Sequence, residues 1–128
     1  MVEGSCLCGA VTYEVTGEVG DIVHCHCSTC RKAHASAFSS VAGVADEDFV
    51  LSGREHMKSF ESSPGKLRHF CGTCGSQIYA KKQGTGHVIL RLGTLDTDPG
   101  SEEVRHIWLS DKASWYALHN VLEEHEEF

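Results

Sequence analysis

Three thiols stand within six residues in Cys25-His26-Cys27-Ser28-Thr29-Cys30, and four more form two distant pairs, Cys6/Cys8 and Cys71/Cys74. Thiolates at these spacings are metal ligands. At about 2.3 Å per zinc–sulfur bond, a tetrahedron sets its sulfurs roughly 3.8 Å apart. Side chains at i and i+2 of a strand share a face, so each C-x-C can grip one ion, and a C-x-x-C does the same across a turn. A structural zinc takes four protein ligands, whereas a catalytic zinc keeps three and leaves the fourth place to water or substrate. Seven thiols divide as four plus three, which points to two zinc ions per chain, one site closed and one open. The spacing also permits Cys6/Cys8 to join Cys25/Cys27, leaving Cys30, Cys71 and Cys74 apart, and four thiols can also hold a two-iron cluster. The nearness of Cys30 to Cys27 favours keeping the triple together.

A disulfide framework fits less well. The cysteine count is odd, the spacings are tight, and Met1 to Cys6 carries neither a basic nor an apolar signal region. Histidines are the other candidate ligands. On an extended chain His24 and His26 point away from the face that carries Cys25 and Cys27, whereas His34, beyond the knuckle, could reach the open metal or its ligand. His69, two residues before Cys71, reads as a structural or supporting group. Arg31 and Lys32 follow the triple directly, and Arg31 is suited to bidentate contact with a ligand carboxylate. Arg31 and His34 are therefore the candidate substrate contacts. The chain shows no Ser/His/Asp order, phosphate loop or convincingly paired carboxylates.

Short strands must position these groups. Val11 to Thr16 alternates apolar and polar residues, Ile22 to Cys25 delivers the triple, and Ser28 to Ala33 has room for a turn or one short helix. Further strands are expected at Phe38–Val44, Phe49–Leu51, Met57–Glu61, Lys66–Phe70, Gln77–Lys81, His87–Leu92 and His106–Trp108, with Pro64-Gly65 as a turn. Asp111 is placed to cap a brief helix over Lys112–Trp115. The tail from Leu118 is a helix candidate that ends in a solvated acidic run, Glu123 to Glu127. Trp108, Trp115 and Tyr116 read as core or rim. The result is one mainly β domain over residues 1–128: several small coiled antiparallel sheets stapled by zinc, with little helix. With 8% aromatic residues and 13 glycines, the core is thin for its length. A structural zinc contributes on the order of 10 kcal/mol, comparable with the net stability of a domain.

The formal charge of -7 comes from 11 basic and 18 acidic residues without a basic cluster, which argues against nucleic acid as a partner. No apolar run approaches the roughly 18 residues of a membrane span. A cytoplasmic location and a small ligand are expected.

With these residues in hand, the chain resembles the glutathione-dependent formaldehyde-activating enzyme family, which also includes centromere protein V domains. The resemblance is carried by Gly4-Ser5-Cys6-Leu7-Cys8-Gly9-Ala10-Val11, by Cys25 to Lys32, by Phe70-Cys71-Gly72-Thr73-Cys74-Gly75-Ser76 and by Lys112-Ala113-Ser114-Trp115-Tyr116. It implies a fold of coiled β-sheets similar to that of a zinc-binding Rab GTPase chaperone. It also implies that Cys6, Cys8, Cys71 and Cys74 are structural zinc ligands, and that Cys25, Cys27 and Cys30 hold a second zinc, which can be partly occupied. The implied activity is condensation of glutathione with formaldehyde to S-hydroxymethylglutathione, a carbon–sulfur lyase reaction on a small thiol or its aldehyde adduct. The competing class is a non-catalytic zinc module that binds a protein or small thiol. Ala35 stands where the family often has glycine, which is expected to narrow the approach to the second zinc.

Overall fold

The computed structural model describes residues 1–119 and 122–128. Eleven strands and one short α-helix account for its regular structure, apart from four single turns of 3-10 helix. In chain order these are β1 (Val2–Ser5), β2 (Thr12–Val15), β3 (Ile22–Cys25), α1 (Ser28–His34), β4 (Ser39–Ala45), β5 (Phe49–Ser52), β6 (Met57–Ser63), β7 (Lys66–Cys71), β8 (Gln77–Lys82), β9 (His87–Arg91), β10 (Glu103–Ile107) and β11 (Glu123–Glu124).

The first sheet is an antiparallel triplet, β1-β2-β5, and the second has eight strands in the order β11-β10-β3-β4-β9-β8-β7-β6. Most pairs are antiparallel, but β10 runs parallel to both β3 and β11. The core fills the space between the sheets. Val11, Tyr13 and Val15 supply it from the β2 side, and Val44, Ile78, Tyr79, Val88 and Leu90 from the large sheet. Close approach is needed at Gly4: a Cβ there would lie 2.2 Å from the Tyr13 ring, so only glycine lets β1 cross it.

Register decides which side chains meet on the opposite face of the large sheet. Cys25 lies opposite Ser39 on β4 and Ile107 on β10, while Val41 lies opposite Arg91, Gly43 opposite Ile89, and Ala80 is shared by Ile89 and Arg68. Cross-strand partners point the same way, so Cys25, Arg91 and Arg68 share one face although 66 residues separate Cys25 from Arg91. On the other face His24 lies opposite Ser40 and His106.

The chain beyond β10 departs from its sequence pattern. Asp111 does not cap a helix over Lys112–Trp115; it ends a 3-10 turn at Leu109–Asp111, and its Oδ2 accepts instead from the Ser28 amide, 3.4 Å away at the start of α1. Residues 118 and 119 are not helical, and the expected helix otherwise runs into residues 120 and 121, outside the described residues. The acidic end is docked rather than free: the Trp108, Leu109 and Ser110 amides donate to the carbonyls of Glu127, His125 and Glu126. Backbone pairing overrides the solvated character of those side chains. Trp115 is 72% exposed and belongs to no core.

Ala35 has φ 52° and ψ 46°, the left-handed conformation that ends α1, and its amide donates to the Arg31 carbonyl. It is exposed and does not line the cavity beside Cys25, Cys27 and Cys30, so its effect is on the backbone and not on access to the cysteines. Left-handed geometry costs an alanine about 1 kcal/mol relative to glycine. Ala35→Gly is therefore expected to raise stability by about that amount, read as a higher midpoint in urea with unchanged slope.

Candidate metal centres and the cavity beside them

The two half-sites of the first cysteine group come from segments far apart in sequence. Cys6 and Cys8 flank the turn after β1, where the Gly9 amide donates to the Cys6 carbonyl; Cys71 and Cys74 form a knuckle between β7 and β8, where the Gly75 amide donates to the Cys71 carbonyl. Cys6 and Cys8 sulfurs are 3.6 Å apart and those of Cys8 and Cys71 3.8 Å apart. These are the separations of a tetrahedral thiolate site. Amides turn toward the group: the Val11 amide donates to Cys6 Sγ, and Leu7 N reaches Ser76 Oγ across the two half-sites. All four sulfurs lie within 4.8 Å of one another, so the group could hold a metal.

Cys25, Cys27 and Cys30 form the second group, again with every sulfur within 4.8 Å of the others. No fourth histidine, cysteine or carboxylate among the described residues joins them at that distance. Cys25 ends β3; Cys27 is the N-cap of α1, its sulfur accepting from the Cys30 amide at 3.3 Å; Cys30 is one turn into the helix. The cap therefore positions two of the three sulfurs. The thiols of Cys25 and then Cys27 hydrogen-bond to Cys30 and push it well below the ordinary thiol range, with Arg68 adding its charge, whereas hydrogen bonds with Cys27 and then Cys30, and burial after them, push Cys25 up. Arg68 places Nη1 and Nη2 3.8 and 3.7 Å from Cys30 Sγ. It is only 5% exposed, and Ser62 Oγ accepts from its Nε.

The trio opens onto a cavity of about 530 Å³. Its walls are apolar at Val23, Val41, Ile89 and Ile107, and its cations are Lys66, Arg68 and Arg91. Burial lowers Lys66, helped by the two arginines, and lowers Arg91 to about 10 against the opposing pull of Cys30. Trp108 forms part of the rim, with the Phe128 ring edge-on to it at 4.8 Å.

Neither expected substrate contact lies in this lining. Arg31 is turned to the C-terminal segment, its Nε donating to the Asp111 carbonyl at 3.1 Å, and His34 lines a separate depression. On a helix of 7 residues Arg31 and His34 follow Cys27 and Cys30 by four positions and share their face, but Arg31 is held by the Asp111 carbonyl, and His34 lines a depression that shares only Arg91 with the trio's cavity. Lys66, Arg68 and Arg91 line that cavity instead. Their signal was faint but present: Arg91 is the one charge in Val88-Ile89-Leu90-Arg91-Leu92, and in β7 the buried member of the Leu67/Arg68 alternation is the arginine.

His24 and His26 point away from the trio, as strand alternation requires. His24 bonds Ser40 Oγ and Glu103 Oε2, both at 2.9 Å, and His26 Nε2 lies 2.8 Å from His106 Nδ1. Burial above all, then the neighbouring histidines, lowers His26 to about 4. Phe38 and Tyr116 close over this cluster, so the late Lys112–Tyr116 segment supports β3 from behind. His69 stacks on Tyr79 at 4.3 Å and serves the sheet packing.

The family model described as "Glutathione-dependent formaldehyde-activating enzyme" matches residues 1–111. A Halomonas elongata protein provisionally named as such an enzyme is 30% identical over 128 aligned positions, covering 92% of this chain and 81% of its own. An uncharacterised lyase of Schizosaccharomyces pombe is 34% identical over 77 positions, which span 60% of this chain and 55% of that protein. The crystal structure of a Rhodobacter sphaeroides protein superposes with a TM-score of 0.63 at 24% identity, covering 79% of this chain and 97% of that one, and so shares the fold. No helix among the described residues is long and apolar enough to cross a membrane.

Proposed function

Because this chain belongs to the glutathione-dependent formaldehyde-activating enzyme family, we propose that it is a zinc-dependent carbon–sulfur lyase acting on glutathione or a related small thiol and its formaldehyde adduct. The observation that carries this reading is the trio of Cys25, Cys27 and Cys30, which has no fourth ligand among the described residues and borders a cavity that carries three cations. Zinc suits both cysteine groups. The donors are all soft thiolates; in the tetrad the sulfur separations of 3.6 and 3.8 Å match a tetrahedral edge, and in the trio the sulfurs lie within 4.8 Å of one another. Cys6, Cys8, Cys71 and Cys74 would hold the structural ion, and Cys25, Cys27 and Cys30 the reactive one. When bound at the trio, zinc supplies a Lewis acid that favours the thiolate form of a substrate thiol near neutral pH.

The chain's own residues do the rest. Lys66 and Arg68 present positive charge to the carboxylates of a glutathione-like thiol. Val23, Val41, Ile89 and Ile107 exclude water beside the sulfur, so that aldehyde and thiol meet in one orientation rather than by chance encounter. In the forward direction a sulfur–carbon bond forms at the carbonyl carbon, and the thiol proton ends on the aldehyde oxygen. The reverse step breaks the same bond. Nothing is oxidised or reduced.

The test is formaldehyde consumption with glutathione by the zinc-loaded protein, compared with the rate without protein. Saturable excess turnover is expected, and in Arg68→Met the KM for glutathione should rise about tenfold while that for 2-mercaptoethanol, which has no carboxylate, stays put. A rate equal to the protein-free control would overturn the enzyme reading in favour of a non-catalytic zinc module.

A further inference from the structure

Four residues with buried, unpartnered side-chain polar atoms line one depression: His34 through Nε2, Ser39 through Oγ, Gln77 through Oε1, and Arg91 through Nε and Nη2. The depression is about 400 Å³ in volume and shares only Arg91 with the cavity beside the cysteine trio. Arg91 is 3% exposed, and no side chain among the described residues accepts a hydrogen bond from its Nε or Nη2. A buried guanidinium edge left without acceptors is costly, so a native structure normally satisfies it.

We propose that this depression is a binding site for a small monocarboxylate, received side-on by the Nε–Nη2 edge of Arg91 and flanked by His34 and Gln77. Two adjacent parallel N–H groups match the two oxygens of a carboxylate, which no spherical anion can do. A single charge is indicated because the lining holds one permanent cation. Lys66 and Arg68 face the other cavity, and burial, with Arg91 adding to it, keeps His34 neutral by lowering it to about 4. His34 then offers one ring N–H. Gln77 presents an amide whose two ends can exchange, so it can donate to a carboxylate oxygen or accept from a hydroxyl on the ligand. Gly75 and Gly93 in the same lining have open space where a Cβ would stand.

The probe is sodium formate, titrated into the zinc-loaded protein at constant ionic strength and followed by the side-chain resonances of Gln77 and His34, with sodium chloride as the control. Saturable one-to-one shifts are expected with formate only. Arg91→Lys keeps the charge but loses the edge and should weaken binding about tenfold or more. Gln77→Leu, which leaves the buried charge in place, should also weaken it and serves if the arginine variant does not fold. The proposal is overturned if chloride gives the same shifts at the same concentrations, if formate shifts only Cys25, Cys27 and Cys30, or if Gln77→Leu binds formate as the parent does. None of these readouts depends on turnover, so failure here is separable from failure of the lyase reading.

Discussion

Cys71→Ser is expected to lose one zinc equivalent and, with it, the cooperative thermal transition of the whole domain. Cys71 is fully buried and belongs to the same cluster as Cys6, Val11, Ile78 and Leu90, where the small sheet meets the large one. The tetrad joins the turn after β1 to the β7–β8 knuckle, segments more than 60 residues apart in the chain. A structural zinc contributes on the order of 10 kcal/mol, while a domain has only about 5–15 kcal/mol of net stability. A serine hydroxyl is a poor zinc ligand, and here it would also bury a polar group among apolar neighbours. Circular dichroism against temperature, with metal content measured on the same sample, checks this. A sharp transition within a few degrees of the parent, at one zinc less, would show that the tetrad does not hold the sheets together.

Cys27→Ser should behave in the opposite way, losing the second zinc and the activity while keeping the fold. Serine is among the best N-cap residues, and its oxygen can accept from the Cys30 amide as the Cys27 sulfur does, so α1 keeps its start. Cys27 is also only half-buried and lies outside the main core cluster. Metal content is expected to fall from two equivalents to one, with the melting temperature nearly unchanged and formaldehyde–glutathione turnover reduced to the protein-free rate. Retention of two equivalents would mean that the trio is not the second site. Full turnover at one equivalent would place the chemistry elsewhere. Taken together, the two variants separate a metal that builds the domain from a metal that serves the ligand.

Much of the fold was legible because its strands are short and bounded by glycine or proline. The Ile22–Cys25 strand and the hairpin at Pro64-Gly65 follow from local patterning, whereas spacing leaves the grouping of the cysteines open and the family resemblance implies the division into four and three; the structure has both elements and brings the cysteines together in those two groups. The C-terminal segment was misread for a physical reason. Its acidic side chains are solvated, but its backbone completes the large sheet beside β10, and a side-chain pattern does not report backbone pairing. Ala35 was misread in the same way, since a substitution that looked steric is conformational.

What the chain's own order of residues determined is the thiol chemistry within each motif: C-x-C and C-x-x-C spacings place neighbouring sulfurs at metal-binding distance through local backbone geometry, while the fold brings Cys6 and Cys8 to Cys71 and Cys74. Only the tertiary structure decided which charges face those thiols. Lys66, Arg68 and Arg91 reach the trio's cavity through strand register and sheet order, whereas Arg31, close to the trio in sequence, is taken up by the Asp111 carbonyl, and His34 lines the neighbouring depression. Proximity along the chain governs ligand spacing, and pairing between distant strands governs the field around the ligand.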